Sequence, residues 1–84
     1  MSVYVDDARI PFRNFMMSHL FADTEDELHA FAEMLGLKRE WFQPRNGRKT
    51  RHYDVSESKR EQALALGAVA LSYPRGVAEW VEQP

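Results

Sequence analysis

Apolar positions recur with period two at the start of the chain and with helical spacing after residue 24. Ser2-Val3-Tyr4-Val5-Asp6 is a β-branched and aromatic run that predicts a strand. Val3 and Val5 fall on one face of it, Tyr4 and Asp6 on the other. Pro11 and Asn14 then interrupt the pattern, and Ile10-Pro11 cannot enter a central ladder because proline has no N–H to donate. From Phe15 to Ala22 alternation resumes. Phe15, Met17, His19 and Phe21 face one way, and Met16, Ser18, Leu20 and Ala22 the other. Both sets are largely apolar, which predicts an interior strand covered on both sides.

Thr24-Glu25-Asp26-Glu27 is a capping box, with threonine at the N-cap and glutamate three residues on. The helix it starts sets Leu28, Phe31, Ala32 and Leu35 on one face, and Gly36 ends it. Lys38 to Phe42 adds a further helical turn. Gln43 to Arg51 contains Pro44 and Asn46-Gly47 and reads as a loop. His52-Tyr53-Asp54-Val55 predicts a short third strand. Ser56 or Ser58 caps a second helix, Ser58 with Glu61 three residues later. Ala63, Leu66 and Gly67 share its inner face, and Gly67 closes it. Ala68 to Tyr73 predicts a fourth strand. Pro74 suits the first turn of a last helix, in which Val77, Trp80 and Val81 form one face. The order β-β-α-β-α-β-α predicts one α/β domain over residues 1–84, with a mixed sheet of about four strands and two to three helices.

Composition narrows the picture. A chain of 84 residues has room for one domain, of stability about 4–13 kcal/mol at the usual value per residue. Apolar residues make up 44%, enough to build a core rather than a disordered chain. There is no cysteine, which excludes disulfides and thiolate zinc sites. No apolar run approaches the roughly 18 residues of a membrane span. Met1 to Asp7 lacks the basic and apolar regions of a signal peptide, so the expected location is the cytoplasm. The net charge of −2 argues against a DNA-coating protein. Charge is uneven, however. Residues 1–42 carry four basic and eight acidic side chains, whereas residues 43–84 carry seven basic and five acidic. Arg45, Arg48, Lys49 and Arg51 lie in one stretch with no acid between them.

Candidate chemistry gathers around two places. At His52 to Arg60 a strand gives way to a helix, the kind of junction where α/β sheets bind ligands. Free backbone N–H groups at the helix start attract anions, and Arg60 flanks the buried face with a guanidinium able to fork onto a phosphate. His52 and Asp54 share a face if the segment is extended. The second place is a carboxylate and imidazole set: Asp6 and Asp7 at the end of the first strand, His19 and Asp23 on the second. Asp/His clusters bind divalent metals, and Asp6, Asp7, His19 and Asp54 are the candidate ligands, with no firm cofactor implied. No H-E-x-x-H, P-loop or serine elbow is present. His29 lies at the rim of an apolar helix face and reads as packing. Arg45, Arg48, Lys49, Arg51 and Trp41 form a weaker candidate for nucleic-acid contact, weighed against a solvated loop and a core tryptophan.

Several of these runs, taken together, carry a resemblance. They are Val3-Tyr4-Val5-Asp6-Asp7, His19-Leu20 with Ala22-Asp23, Glu27-Leu28-His29-Ala30-Phe31-Ala32, Leu35-Gly36-Leu37 followed by Trp41-Phe42-Gln43, and His52-Tyr53-Asp54-Val55. With Arg60, Ala63 and Gly67-Ala68 they resemble domain of unknown function family 4031, short bacterial and phage proteins, over roughly residues 1–70. The tail over residues 71–84 and the loop Arg45 to Thr50 lie outside the matched motifs. The family brings no established activity, substrate or cofactor. The resemblance implies that Asp6, Asp7, His19, Asp23, His29, His52, Tyr53, Asp54 and Arg60 belong to its recurring polar motif.

These readings lead first to a small binding domain for an anionic ligand, a nucleotide or nucleic-acid phosphate. Arg60 and the helix start after Asp54 would hold the phosphate. His52, Tyr53 and His19 would orient the ligand, and Asp6 or Asp7 would accept from it. The second expectation is a metal-dependent nuclease or phosphodiesterase, with His52, Asp54 and His19 as candidate catalytic residues. The third is a protein–protein interaction module. A homodimer through a strand edge or the Val77/Trp80/Val81 face is compatible with each.

Overall fold

The computed structural model describes residues 2–43 and 51–82. The chain runs through β1 (Val3–Val5), β2 (Ile10–Phe12), β3 (Phe15–Ala22) and α1 (Glu25–Met34). After a 3-10 turn at Arg39–Trp41 come β4 (Tyr53–Ser56), α2 (Glu57–Ala65), β5 (Val69–Ala70) and α3 (Arg75–Glu82). The fold is α/β with a mixed sheet, as expected. Five strands stand among the described residues where about four were expected.

The additional strand is β2. It pairs antiparallel with β3, Pro11 opposite Met16. Met17 is matched to both Ile10 and Ser56, and Leu20 to both Val5 and Tyr53. A strand has only two edges, so β1 and β2 share one edge of β3 and β4 takes the other. β1 and β2 are thus one arm of a long hairpin, broken at Asp7–Arg9, where Arg9 adopts a φ of 49°. Arg13, at φ 56°, turns the hairpin tip. Pro11 is tolerated because β2 has a strand partner on one side only, among the described residues. β5 lies parallel to β1, with Tyr4 opposite Val69. It is shorter than the expected strand over Ala68 to Tyr73, because the chain turns away after Leu71 N–H reaches the carbonyl of Val5.

The sheet alternation sorts side chains onto two faces. Val5, Leu20, Tyr53 and Val55 face α1 and α2 and form the core with Leu28, Phe31, Ala32, Leu35 and Ala63. Those α1 positions are the ones the helical spacing picks out. Thr24 caps α1 by accepting from Glu27 N–H at 3.2 Å, and the Glu27 carboxylate accepts from the threonine hydroxyl. Gly36 ends the helix at φ +77°, a conformation that glycine adopts without steric cost. Ser56, not Ser58, caps α2. On the opposite face α3 lays Trp80 against Tyr4 and Phe21, with ring centroids 4.8 and 4.9 Å apart. β3 is covered on both faces only toward its end, since Phe15 and Met16 are exposed.

The α1 face carries a packing contribution that can be tested cleanly. Leu28 is buried and Met34 is exposed. Leu28→Ala should cost about 2–5 kcal/mol, and Met34→Ala should stay within roughly 0.5 kcal/mol. Urea denaturation of the two variants beside the parent checks this, and equal losses would contradict the burial described.

Candidate functional site

The site begins with a carboxylate inside the protein. Asp6 follows β1 on the Tyr4 side of the sheet and is fully buried. Its Oδ1 accepts from the backbone N–H of His19 at 2.8 Å and of Ala8 at 3.1 Å. Its Oδ2 lies 2.7 Å from His19 Nδ1. Burial raises the cost of ionising this group. The hydrogen bonds from the His19 side chain and backbone and from Ala8 outweigh that cost and hold the carboxyl below its usual value. An ionised Asp6 accepts only, so Nδ1 of His19 carries the proton. Nε2 is then the nitrogen that His19 can turn on a ligand.

His52 and Asp54 come to the same place from β4. His19 and Asp54 are direct partners in the β3–β4 register. His52 lies just before β4, on the same face as Asp54, as its spacing predicts. The His19 and His52 rings meet edge to face at a centroid distance of 4.9 Å. His52 Nε2 stands 3.4 Å from Asp54 Oδ1, and Gln43 Nε2 donates to Asp54 Oδ2 at 2.6 Å. One donor atom from each of His19, His52 and Asp54 lies within 4.8 Å of the others.

This cluster opens on a cavity of about 730 Å³. Its polar end is Asp6, His19, Gln43, His52 and Asp54. Its apolar end is built from Ile10 and Phe12 of β2, Tyr73, and Val77 and Val81 of α3. No lysine or arginine is among the described residues of the wall. Two imidazoles and a carboxylate are a donor set suited to zinc, manganese or iron, with coordination positions left for water or substrate. Asp6 behind His19 supplies the second hydrogen bond that fixes a ligating imidazole.

The structure divides the expected site residues. It brings together Asp6, His19, His52 and Asp54. It separates Arg60, whose Nε donates to the backbone carbonyl of Asp6 at 2.8 Å and ties α2 to the end of β1. Arg60 is absent from the cavity wall, so it does not stand with the imidazoles as a phosphate clamp. At the helix start after Asp54, Ser56 Oγ accepts from Lys59 N–H, and Glu57 pairs with Arg9. Tyr53 points to the opposite face, where its buried hydroxyl meets His29 Nδ1 at 2.7 Å, so it cannot orient a ligand beside His52. His29 Nε2 also meets Glu25 at 3.2 Å, so both ring nitrogens have partners on the helix side of the sheet. Asp7 accepts from Tyr73 N–H at 2.7 Å and holds the approach to α3 rather than a metal. Asp23 accepts from Ser2 N–H and the Tyr4 hydroxyl, away from His19. Arg51 pairs with Glu25. Arg45, Arg48 and Lys49 lie outside the described residues. Gln43, Tyr73 and the α3 valines are site residues that charge and imidazole spacing do not reveal.

The depressed ionisation of Asp6 has a definite sign. A carboxyl with a lower pKa folded than unfolded stabilises the protein above the unfolded value, and that contribution is lost as pH falls through the folded value. Thermal stability should therefore drop as pH falls below the ordinary 3.8. Asp6→Asn should weaken this dependence and cost about 1–3 kcal/mol near neutral pH, because one amide N–H₂ faces donors. Melting curves from neutral to acid pH for both proteins measure it, and parallel curves would remove Asp6 as the cause.

Comparison with known proteins adds one finding. The chain matches the family described as Protein of unknown function (DUF4031) over residues 3–83. The match runs through the tail, well past residue 70, so the region of α3 that walls the cavity is included. No curated protein and no solved structure matches the chain. With nearly all of its length matched, the chain belongs to the DUF4031 family.

Proposed function

We propose that this protein binds a divalent transition-metal ion at His19, His52 and Asp54 and uses it to hydrolyse a phosphodiester. The observation that carries the reading is the convergence of those three donors at the polar end of a cavity, with a buried carboxylate behind one imidazole. Asp6 holds His19 in the tautomer that presents Nε2. Gln43 fixes the Asp54 carboxylate from the side. An ion there supplies Lewis acidity and lowers the pKa of water toward neutrality. It also places positive charge beside the imidazoles, where the ester phosphate would react. Phe12, Tyr73 and the α3 valines offer an apolar bed for the organic part of the ester. This ligand set replaces Asp7 with His52 and makes Asp6 a positioning residue.

Calorimetric titration with Mn²⁺ and Zn²⁺, together with melting curves, tests the site. An ion at 100 times its dissociation constant adds about 2.7 kcal/mol. For a domain of this size that raises the melting temperature on the order of 10–20 °C. His52→Ala and Asp54→Asn should abolish the shift and the hydrolysis of a chromogenic phosphodiester together. If neither ion gives heat or a shift with the parent protein, the proposal fails.

A further inference from the structure

The cavity has a neighbour. A second hollow of about 590 Å³ lies beside it, and Phe12, Met17, Gln43 and Asp54 line both. Those four residues are therefore a shared ridge, and the two hollows form one groove across the β2–β3 hairpin. Along the groove stand rings that a folded protein ordinarily hides. Phe12 is 58% exposed, Phe15 57%, Trp41 49% and Tyr73 46%. Cations accompany them. The Arg13 guanidinium lies 5.4 Å from the Phe12 ring centroid, and Lys38 Nζ lies 5.6 Å from that of Trp41. Lys59 and Glu40 both line the second hollow, and Lys59 Nζ donates to the Leu35 carbonyl at 2.6 Å.

We infer that this groove takes a single-stranded nucleic acid, laid over the exposed rings so that a backbone phosphate reaches the His19–His52–Asp54 cluster. The physical case rests on two complementary features. Unstacked bases present flat faces that stack on aromatic side chains, whatever their sequence. Cations beside those rings neutralise the phosphates that travel with the bases. A duplex hides its base faces, so the same rings give it nothing to stack on. A protein partner would cover the rings equally well but would not call for a cation at two of them. The inference names the substrate class of the proposed hydrolytic site, and for cleavage it rests on that proposal. Binding of the strand does not depend on the metal.

Fluorescence anisotropy in EDTA separates the two. The probe is a short dye-labelled oligodeoxythymidylate, compared with the same strand annealed to oligodeoxyadenylate. The single strand should bind at least tenfold tighter than the duplex, and affinity should fall as salt rises. Trp41→Ala and Phe12→Ala should each weaken it roughly tenfold or more, the usual loss for a stacked base. Both positions are exposed, and circular dichroism verifies that each variant is folded. Lys38→Gln should reduce the salt dependence. Equal affinity for duplex and single strand, or unchanged affinity in both ring variants, would overturn the inference. So would the absence of binding with concentration-dependent self-association in sedimentation, which would assign the rings to a second copy of the chain. Metal titration reads out independently, so loss of either result leaves the other standing.

Discussion

The buried Asp6 carboxylate is the point on which the rest of the molecule depends. It sits at the break between β1 and β2, and its two oxygens take three hydrogen bonds from Ala8 and His19. Its backbone N–H reaches the His19 carbonyl, and its own carbonyl takes the Arg60 guanidinium from α2. One residue thus joins the hairpin, the second helix and an imidazole of the site. An unpaired buried carboxylate would be costly, so full hydrogen bonding is a condition of the fold. The same bonds dictate which nitrogen His19 presents. Stability and site geometry are one interaction here.

The sheet divides the polar side chains by chemistry. On the α1 and α2 side, His29 and Tyr53 close against each other and Glu25 completes the set. Those groups use their polarity to finish a core. On the other side, His19, His52 and Asp54 line an open cavity instead. The difference follows from coverage. Two helices cover the first face, whereas on the second α3 packs Trp80 on Tyr4 and Phe21 and leaves Val77 and Val81 on the cavity wall.

The hairpin break shapes that cavity. Asp7–Arg9 interrupt the pairing, so β2 resumes beyond the break and brings Ile10 and Phe12 to the wall. Asp7 then reaches Tyr73 N–H and anchors the segment leading into α3. A two-strand edge that is broken rather than continuous thereby gains both a floor and a side wall. The exposed rings at the hairpin tip, Phe12 and Phe15, belong to the same geometry.

Local sequence alone determined the α1 helix, its threonine cap, its Gly36 end and its buried face, because those depend on residues within a few positions of one another. The alternation of Tyr4 with Val3 and Val5, and of His52 with Tyr53, likewise gave each residue its face without reference to the rest of the chain. The family resemblance was legible in the same short motifs, although it reaches further than they do. What only the tertiary structure decided is which residues of one face meet. β2 was hidden because Pro11 forbids a central strand and the chain alone does not show that an edge is available. Arg60 could not be assigned from its helix position, since its partner is a backbone carbonyl 54 residues away. Gln43 and Tyr73 enter the site through a β-bridge to His52 and a turn held by Asp7. Those contacts are set by strand register and by where the hairpin breaks, and register is a property of paired strands rather than of any one segment.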